Sequence, residues 1–144
     1  MKPGEAPHTR YRVVDLGPPQ AATGLNNGRQ LVGRQVEEAI GTRAVLRDGA
    51  QTRDLGTLGG TFSAARGINN LGVIVGDSLT FGEEAHHGFV YLNGAMYDLN
   101  DLLRPLHQPC EILHAIAIND RNEIVAVATI EGCDRAVLLV PDLM

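Results

Sequence analysis

The sequence predicts an all-β fold of three four-stranded antiparallel repeats, and three observations carry that reading. A ten-residue phrase occurs three times, as Gly24-Leu-Asn-Asn-Gly-Arg-Gln-Leu-Val-Gly33, Gly67-Ile-Asn-Asn-Leu-Gly-Val-Ile-Val-Gly76 and, more worn, Ala117-Ile-Asn-Asp-Arg-Asn-Glu-Ile-Val-Ala126. Self-similarity of this kind is the signature of a repeat architecture. The 144 residues hold 17 glycines, no Trp and only 4% aromatic residues, which suits a core of Val, Ile, Leu and Ala crossed by many tight turns. Short apolar runs end in Asp48-Gly49 and Asn93-Gly94, a strong hairpin signal because Gly and Asn tolerate the positive φ of a type I′ turn.

The elements follow in chain order. Arg12-Val-Val-Asp-Leu-Gly17 is the first apolar run, and it matches the later Arg53-Asp-Leu-Gly56 and Tyr97-Asp-Leu-Asn100. After its Asn phrase the first repeat continues through Arg43-Ala-Val-Leu-Arg-Asp-Gly49 to residues 51–55, and the second through Gly88-Phe-Val-Tyr-Leu-Asn-Gly94 to residues 95–99. Each repeat thus contains four short strands. Small residues open the first strand (Ala64 and Ala65, Ala115 and Ala117), as a crowded position near a symmetry axis would require. Gly59-Gly60-Thr61 reads as a connector: a strand phrase follows it, whereas a phosphate-cradling loop needs a helix opened by Lys-Ser or Lys-Thr. The third repeat reaches its third strand at residues 136–140 and stops.

The run at residues 11–17 is therefore a fourth strand without a repeat, and the last repeat lacks one. An open third repeat would leave an edge whose unpaired N–H and C=O groups invite aggregation. The N-terminal strand is expected to pair there and complete the last blade. Propellers generally have about four to eight blades, so two chains with three each would make six, and a terminal strand swap is a low-cost route to a two-fold dimer. The expectation is a six-bladed propeller formed by a homodimer, with a single-chain three-fold fold such as a β-trefoil as the alternative. A flexible segment at residues 1–10 would precede one all-β domain at residues 11–144, with repeats at 21–63, 64–114 and 115–144.

The alternation of the Asn phrase, the Gly-Phe-Val-Tyr phrase at residues 88–91 and Asp54-Leu-Gly-Thr-Leu-Gly-Gly-Thr61 resembles the HAF repeat family of bacterial proteins. The similarity covers nearly all of the chain from Tyr11 onward and is clearest from Gly24 to Leu99. It implies propeller-like repeats and an extracellular or periplasmic location. It implies no established chemistry.

A net charge of −5 without a run of Lys or Arg removes the electrostatic footprint that nucleic acid or anionic lipid requires. No apolar stretch approaches the roughly 20 residues that span a bilayer, and residues 1–10 contain no apolar signal region. Neither nucleic acid nor membrane is expected as a partner.

The repeated Asn pairs lack the alternating carboxylates of a calcium loop and read as side chains that mimic backbone in a turn. Asp15, Asp54 and Asp98 recur at one position, which points to a structural hydrogen bond to the neighbouring repeat and not to three catalytic acids. Function is expected where the repeat is broken. Residues 78–87 form a longer connection than their counterparts, and residues 100–114 form the longest. In a meander both emerge on the same face, so Glu83, Glu84, His86, His87, His107, Glu111 and His114 are the candidate ligand-binding residues. No pair has the helical spacing of a recognised zinc site, so no metal, cofactor or catalytic residue is assigned. Cys110 and Cys133 fall on that face and are candidates for a disulfide closing a loop of about 20 residues. The reading is a non-catalytic binding or scaffolding module for a protein or glycan ligand. A metal-dependent or hydrolytic enzyme using these His and Glu residues, and a purely structural assembly unit, are the alternatives.

Overall fold

Three tight turns are built alike by the recurring asparagine. Asn26 Oδ1 accepts from the backbone N of Gln30 at 3.0 Å, Asn69 Oδ1 from Leu71 N and Val73 N at 3.0 and 2.9 Å, and Asn119 Oδ1 from Arg121 N and Glu123 N at 3.0 Å each. A side-chain oxygen that stands in for a carbonyl is why Asn suits such turns. The left-handed backbone lies three residues further on, at Arg29, Gly72 and Asn122, with φ of 61°, 81° and 60°.

The structure, a computed structural model, describes residues 4, 8–16, 20–83, 85–105 and 108–142. Eleven strands follow one another: β1 (Gln20–Leu25), β2 (Leu31–Glu37), β3 (Gly41–Asp48), β4 (Gln51–Asp54), β5 (Gly59–Ile68), β6 (Ile74–Thr80), β7 (His86–Leu92), β8 (Ala95–Asp98), β9 (Cys110–Ile118), β10 (Ile124–Ile130) and β11 (Cys133–Leu139). Two short 3-10 turns, Phe81–Glu83 and Leu99–Leu102, are the only helical elements among the described residues. No helix there is long and apolar enough to cross a membrane. The fold is all-β, as the sequence predicts.

β1 to β4 pair consecutively and antiparallel, as do β5 to β8. A single parallel pair, Thr42 with Phe62, joins these two meanders into one eight-stranded sheet. β9, β10 and β11 form a separate three-stranded antiparallel sheet. The hairpin turns differ in kind. Asn93 and Gly94 both have positive φ (53° and 80°), the type I′ signature. At the Asp48-Gly49 turn only Gly49 does (64°), so the central pair is Gly49-Ala50 and the turn is of the II′ kind. Glu131 and Gly132 make a further I′ pair between β10 and β11 (51° and 78°).

The first strand of each meander carries a bulge at the same place, skipping Thr23, Arg66 and Ile116 in the register. The bulge presses the bent strand against its partner, which is where the phrase's last glycine stands. A Cβ on Gly33 would lie 1.7 Å from Ala21 O, and one on Gly76 2.0 Å from Ala64 O. The third phrase has Ala126 there, and β9 shows a second register shift at Leu113.

Two apolar clusters fill the spaces between successive meanders. Val32, Ala44, Leu55, Ala65, Ile68, Ile74 and Phe89 pack between the first and second. Val75, Val90, Leu99, Ile112, Ala115, Ile124, Ala126 and Ala128 pack between the second and third. Alternation along β6 explains the division, since neighbouring Ile74 and Val75 point to opposite faces of their sheet.

Three expectations need correction. Residues 12–16 form no strand and do not pair with β11 of their own chain; Arg47 donates to Leu16 O, so this segment lies against the first meander. Gly59-Gly60-Thr61 belongs to β5, so the second and third meanders begin at Gly59 and Cys110, a few residues before the repeat boundaries read from the phrase. Asp54 and Asp98 hydrogen-bond locally, to Gly56 N and Asn100 N at 2.8 and 2.9 Å, and, among the described residues, not to a neighbouring repeat.

Candidate functional site

Four of the seven residues singled out in the sequence come together, in two groups on neighbouring strands. His86 and His87 open β7, and Glu111 and His114 lie on β9. Glu84 and His107 lie outside the described residues, as does the side chain of Glu83.

The first group is centred on Asp77, in the middle of β6. Val75 and Asp77 are two residues apart and share the face turned towards the third meander. Asp77 pairs across the ladder with Gly88, and His86, two residues from Gly88, falls on the same side. His114 reaches in from β9. Asp77 Oδ2 stands 3.4 Å from His86 Nδ1 and 3.5 Å from His114 Nδ1. Its other oxygen is taken by Arg66 Nε, and Arg66 is the bulge residue of β5, released from the ladder. Asp77 is 1% exposed, yet neither its Oδ2 nor His114 Nδ1 has a hydrogen-bond partner among the described residues. The rings of Phe62 and His86 meet in a T-shaped arrangement (centroids 5.6 Å apart, 71° between planes), and the rings of His86 and His114 lie 5.5 Å apart.

The second group is a clamp on His87. Nδ1 lies 2.7 Å from Asp98 Oδ2 and Nε2 lies 2.9 Å from Glu111 Oε1. Partial burial works against the charged imidazole, but the hydrogen bonds and charges of Asp98 and Glu111 outweigh it and raise His87 above its ordinary value of 6.5. Asp98 spans both roles: Oδ1 closes its own turn through Asn100 N and Nδ2 at 2.9 and 3.0 Å, while Oδ2 holds His87. Asn100 in turn fastens β9, accepting from Ile112 N at 2.7 Å and donating to Ile112 O at 3.0 Å. The long connector is thereby pinned at both ends, with Leu99 and Ile112 buried and Leu103 packed beneath.

Asp77 and Arg66 are the residues that sequence reasoning missed. A signal existed: Asp77 occupies the place of Arg34 in the first phrase and Val127 in the third, a break inside a strand and not inside a loop. The candidate disulfide is not formed. Cys110 and Cys133 are free thiols on the two strands that flank β10, both opposite Ile130. Strands spaced by about 4.8 Å put their Cα atoms about 9–10 Å apart, beyond the roughly 7 Å that a disulfide spans.

No family model, curated protein or solved structure matches this chain.

Proposed function

We propose that the chain is half of a propeller-like, non-catalytic binding scaffold akin to the HAF repeat proteins. Each meander is a blade, two chains close a six-bladed ring, and the rim built from His87, Asp98 and Glu111 is offered to a protein or glycan ligand. One series of equivalent side chains carries this reading. Val32, Val75 and Val125 hold the same place in the thrice-repeated phrase. Val32 and Val75, each covered by the following meander, are 1% and 0% exposed, whereas Val125, with no further meander among the described residues, is 45% exposed. That difference leaves an apolar blade face waiting for another first blade.

Two further features agree. The bonds between turns run in one direction, from Asn26 to Asn69 O and from Asn69 to Asn119 O. Asn26 Nδ2 also bonds Gln30 Oε1 within its own turn at 2.8 Å; Asn119, with no later turn among the described residues, keeps only the equivalent bond, from Nδ2 to Glu123 Oε1 at 2.8 Å. Head-to-tail contacts of this kind generate rings when the rotation closes. The N-terminal run fits the same scheme: Leu55 and Leu99 after β4 and β8 are each 5% exposed, but the matching Leu16 is 37%, and Tyr11 and Val13 are 89% and 91% exposed. In the ring, this run pairs with the open edge of β11 in the second chain.

Light scattering tests the ring. The intact protein should have twice the chain mass, and Val125→Glu, or removal of residues 1–17, should halve it while strand content persists. A monomeric intact protein overturns the ring, and a dimer that survives Val125→Glu overturns this face as its contact. The rim is tested by probing arrays of glycans and peptides with the intact protein and with a His87→Ala/Glu111→Ala double variant that still dimerises. Any ligand retained by the double variant removes the rim from the reading.

A further inference from the structure

We infer that Asp77, His86 and His114 form a binding site for one divalent transition-metal ion of the zinc class. The donor atoms are Asp77 Oδ2 and the two imidazole nitrogens, and all three lie within 4.8 Å of one another. In a tetrahedral site with bonds of about 2.0–2.1 Å, donor atoms stand about 3.3–3.4 Å apart. The separations from Asp77 Oδ2, 3.4 and 3.5 Å, are those of ligands around a common ion and too long for strong hydrogen bonds between the side chains.

Burial makes the case independent of spacing. A polar atom withdrawn from water with no hydrogen bond is costly, and here two buried atoms, Asp77 Oδ2 and His114 Nδ1, face each other at 3.5 Å with no hydrogen bond among the described residues. One cation satisfies both. Arg66 fixes Asp77 by its other oxygen, which leaves a single oxygen to bind and orients it as an outer-shell partner does. Phe62 braces the His86 ring from the side. The three ligands come from β6, β7 and β9, elements of a rigid scaffold, so the site does not rely on a loop to assemble.

The chemistry selects the ion. Two imidazoles with one carboxylate suit zinc, copper or nickel, whereas calcium and magnesium demand more oxygen donors. His86 and His114 are 43% and 33% exposed at their side chains, so the remaining coordination position faces solvent. Symmetry does not account for the group, because the positions of Asp77 and His114 hold Arg34 and Ala21 in the first repeat. All three ligands belong to one chain, and the site stands whether or not a second chain closes the ring.

Zinc titration against a chromophoric chelator tests the site, using tag-free protein, Asp77→Asn, His86→Gln and His114→Gln, with His8→Gln as control. The intact protein and the control should bind one zinc per chain and melt at a higher temperature with zinc. Each ligand variant should lose affinity by at least the roughly 10- to 100-fold that an outer-shell change costs. Cobalt should give the visible bands of a low-coordinate site in the intact protein and not in the variants. His86 is exposed enough that His86→Gln should fold normally, so its result decides even if Asp77→Asn does not fold. Folded intact protein that binds no zinc, zinc binding undiminished in His86→Gln and His114→Gln, or equal competition by calcium or magnesium would each overturn the assignment.

Discussion

Asn69 Nδ2 donates to the carbonyl oxygen of Asn119 at 2.9 Å, one step along from the bond that Asn26 Nδ2 makes to Asn69 O at 3.0 Å. Asn69 is the middle rung of this ladder and is 3% exposed. It also donates to Asn122 Oδ1 and closes its own turn through Leu71 N and Val73 N. Asn69→Ala should cost about 3 kcal/mol or more, since it deletes several hydrogen bonds and strands buried partners. Asn119→Ala, on an exposed turn with no rung beyond it, should cost about 1 kcal/mol. Urea unfolding of both compares them; equal losses would show that the rungs between turns add nothing to turn closure.

The three turns demand a left-handed residue at one place and fill it differently. Arg29 adopts φ of 61° without the freedom of glycine, while Gly72 at 81° has it. A Cβ on Gly72 would meet nothing closer than Gln30 Oε1 at 4.0 Å, so substitution there tests backbone strain alone. The left-handed region costs an L-residue about 1–2 kcal/mol. Gly72→Ala should lose about 1 kcal/mol, and Arg29→Gly should gain up to about 1 kcal/mol, less the greater freedom of the unfolded chain. Thermal midpoints moving in the same direction for both would contradict this.

Gly76 is constrained by space and not by φ. Its absent Cβ would stand 2.0 Å from Ala64 O and 2.9 Å from Ala65 Cα, both backbone atoms that cannot step aside. Gly76→Ala should therefore destabilise by about 3 kcal/mol or more and disturb the bulge at Arg66. A variant that keeps wild-type stability would mean that the bulge accommodates a methyl group, as the third meander does at Ala126.

The all-β class, the positions of the turns and the antiparallel pairing of successive strands were legible because each rests on local chemistry: Asn closing a turn, Gly at positive φ, apolar runs of strand length. Closure was not, because the position of residues 12–16 depends on which edges and faces compete for them, and in one chain the first meander wins at Arg47. The site was half legible. His86, His87, Glu111 and His114 stand out as histidines and acids at breaks in the repeat. Asp77 hides inside a strand, and only the packing of β6 against β9 brings its carboxylate to the imidazoles. The cysteines misled because sharing a face in sequence order ignores the strand between them.

Asp120 takes the place of Asn70 in the third turn and accepts from Asn70 N and Nδ2, both at 2.8 Å. The backbone hydrogen bond first, then the side-chain one, lowers its carboxyl below the ordinary 3.8. A depressed value stabilises the fold above about pH 4 and is lost as pH falls through the folded value. Asp120→Asn keeps an acceptor oxygen without a charge to titrate. Its acid unfolding should be less steep than that of the wild type, with near-wild-type stability at neutral pH. An unchanged acid limb would show that this contact carries no linkage.

His87 supplies the opposite sign. Held between Asp98 and Glu111, its pKa is raised above 6.5 in the folded protein. Its contribution is fully present below about pH 6.5, where the imidazole is charged in both states, and disappears as pH rises through the folded value. In metal-free protein, His87→Gln should therefore lose more stability relative to wild type at about pH 6 than at about pH 9. Glu111→Gln should remove part of the same difference, since it keeps the bond geometry and drops one of the two charges. Urea midpoints across the range measure both. If the gap between wild type and His87→Gln is as wide at high pH as at low, His87 serves by packing and not by charge.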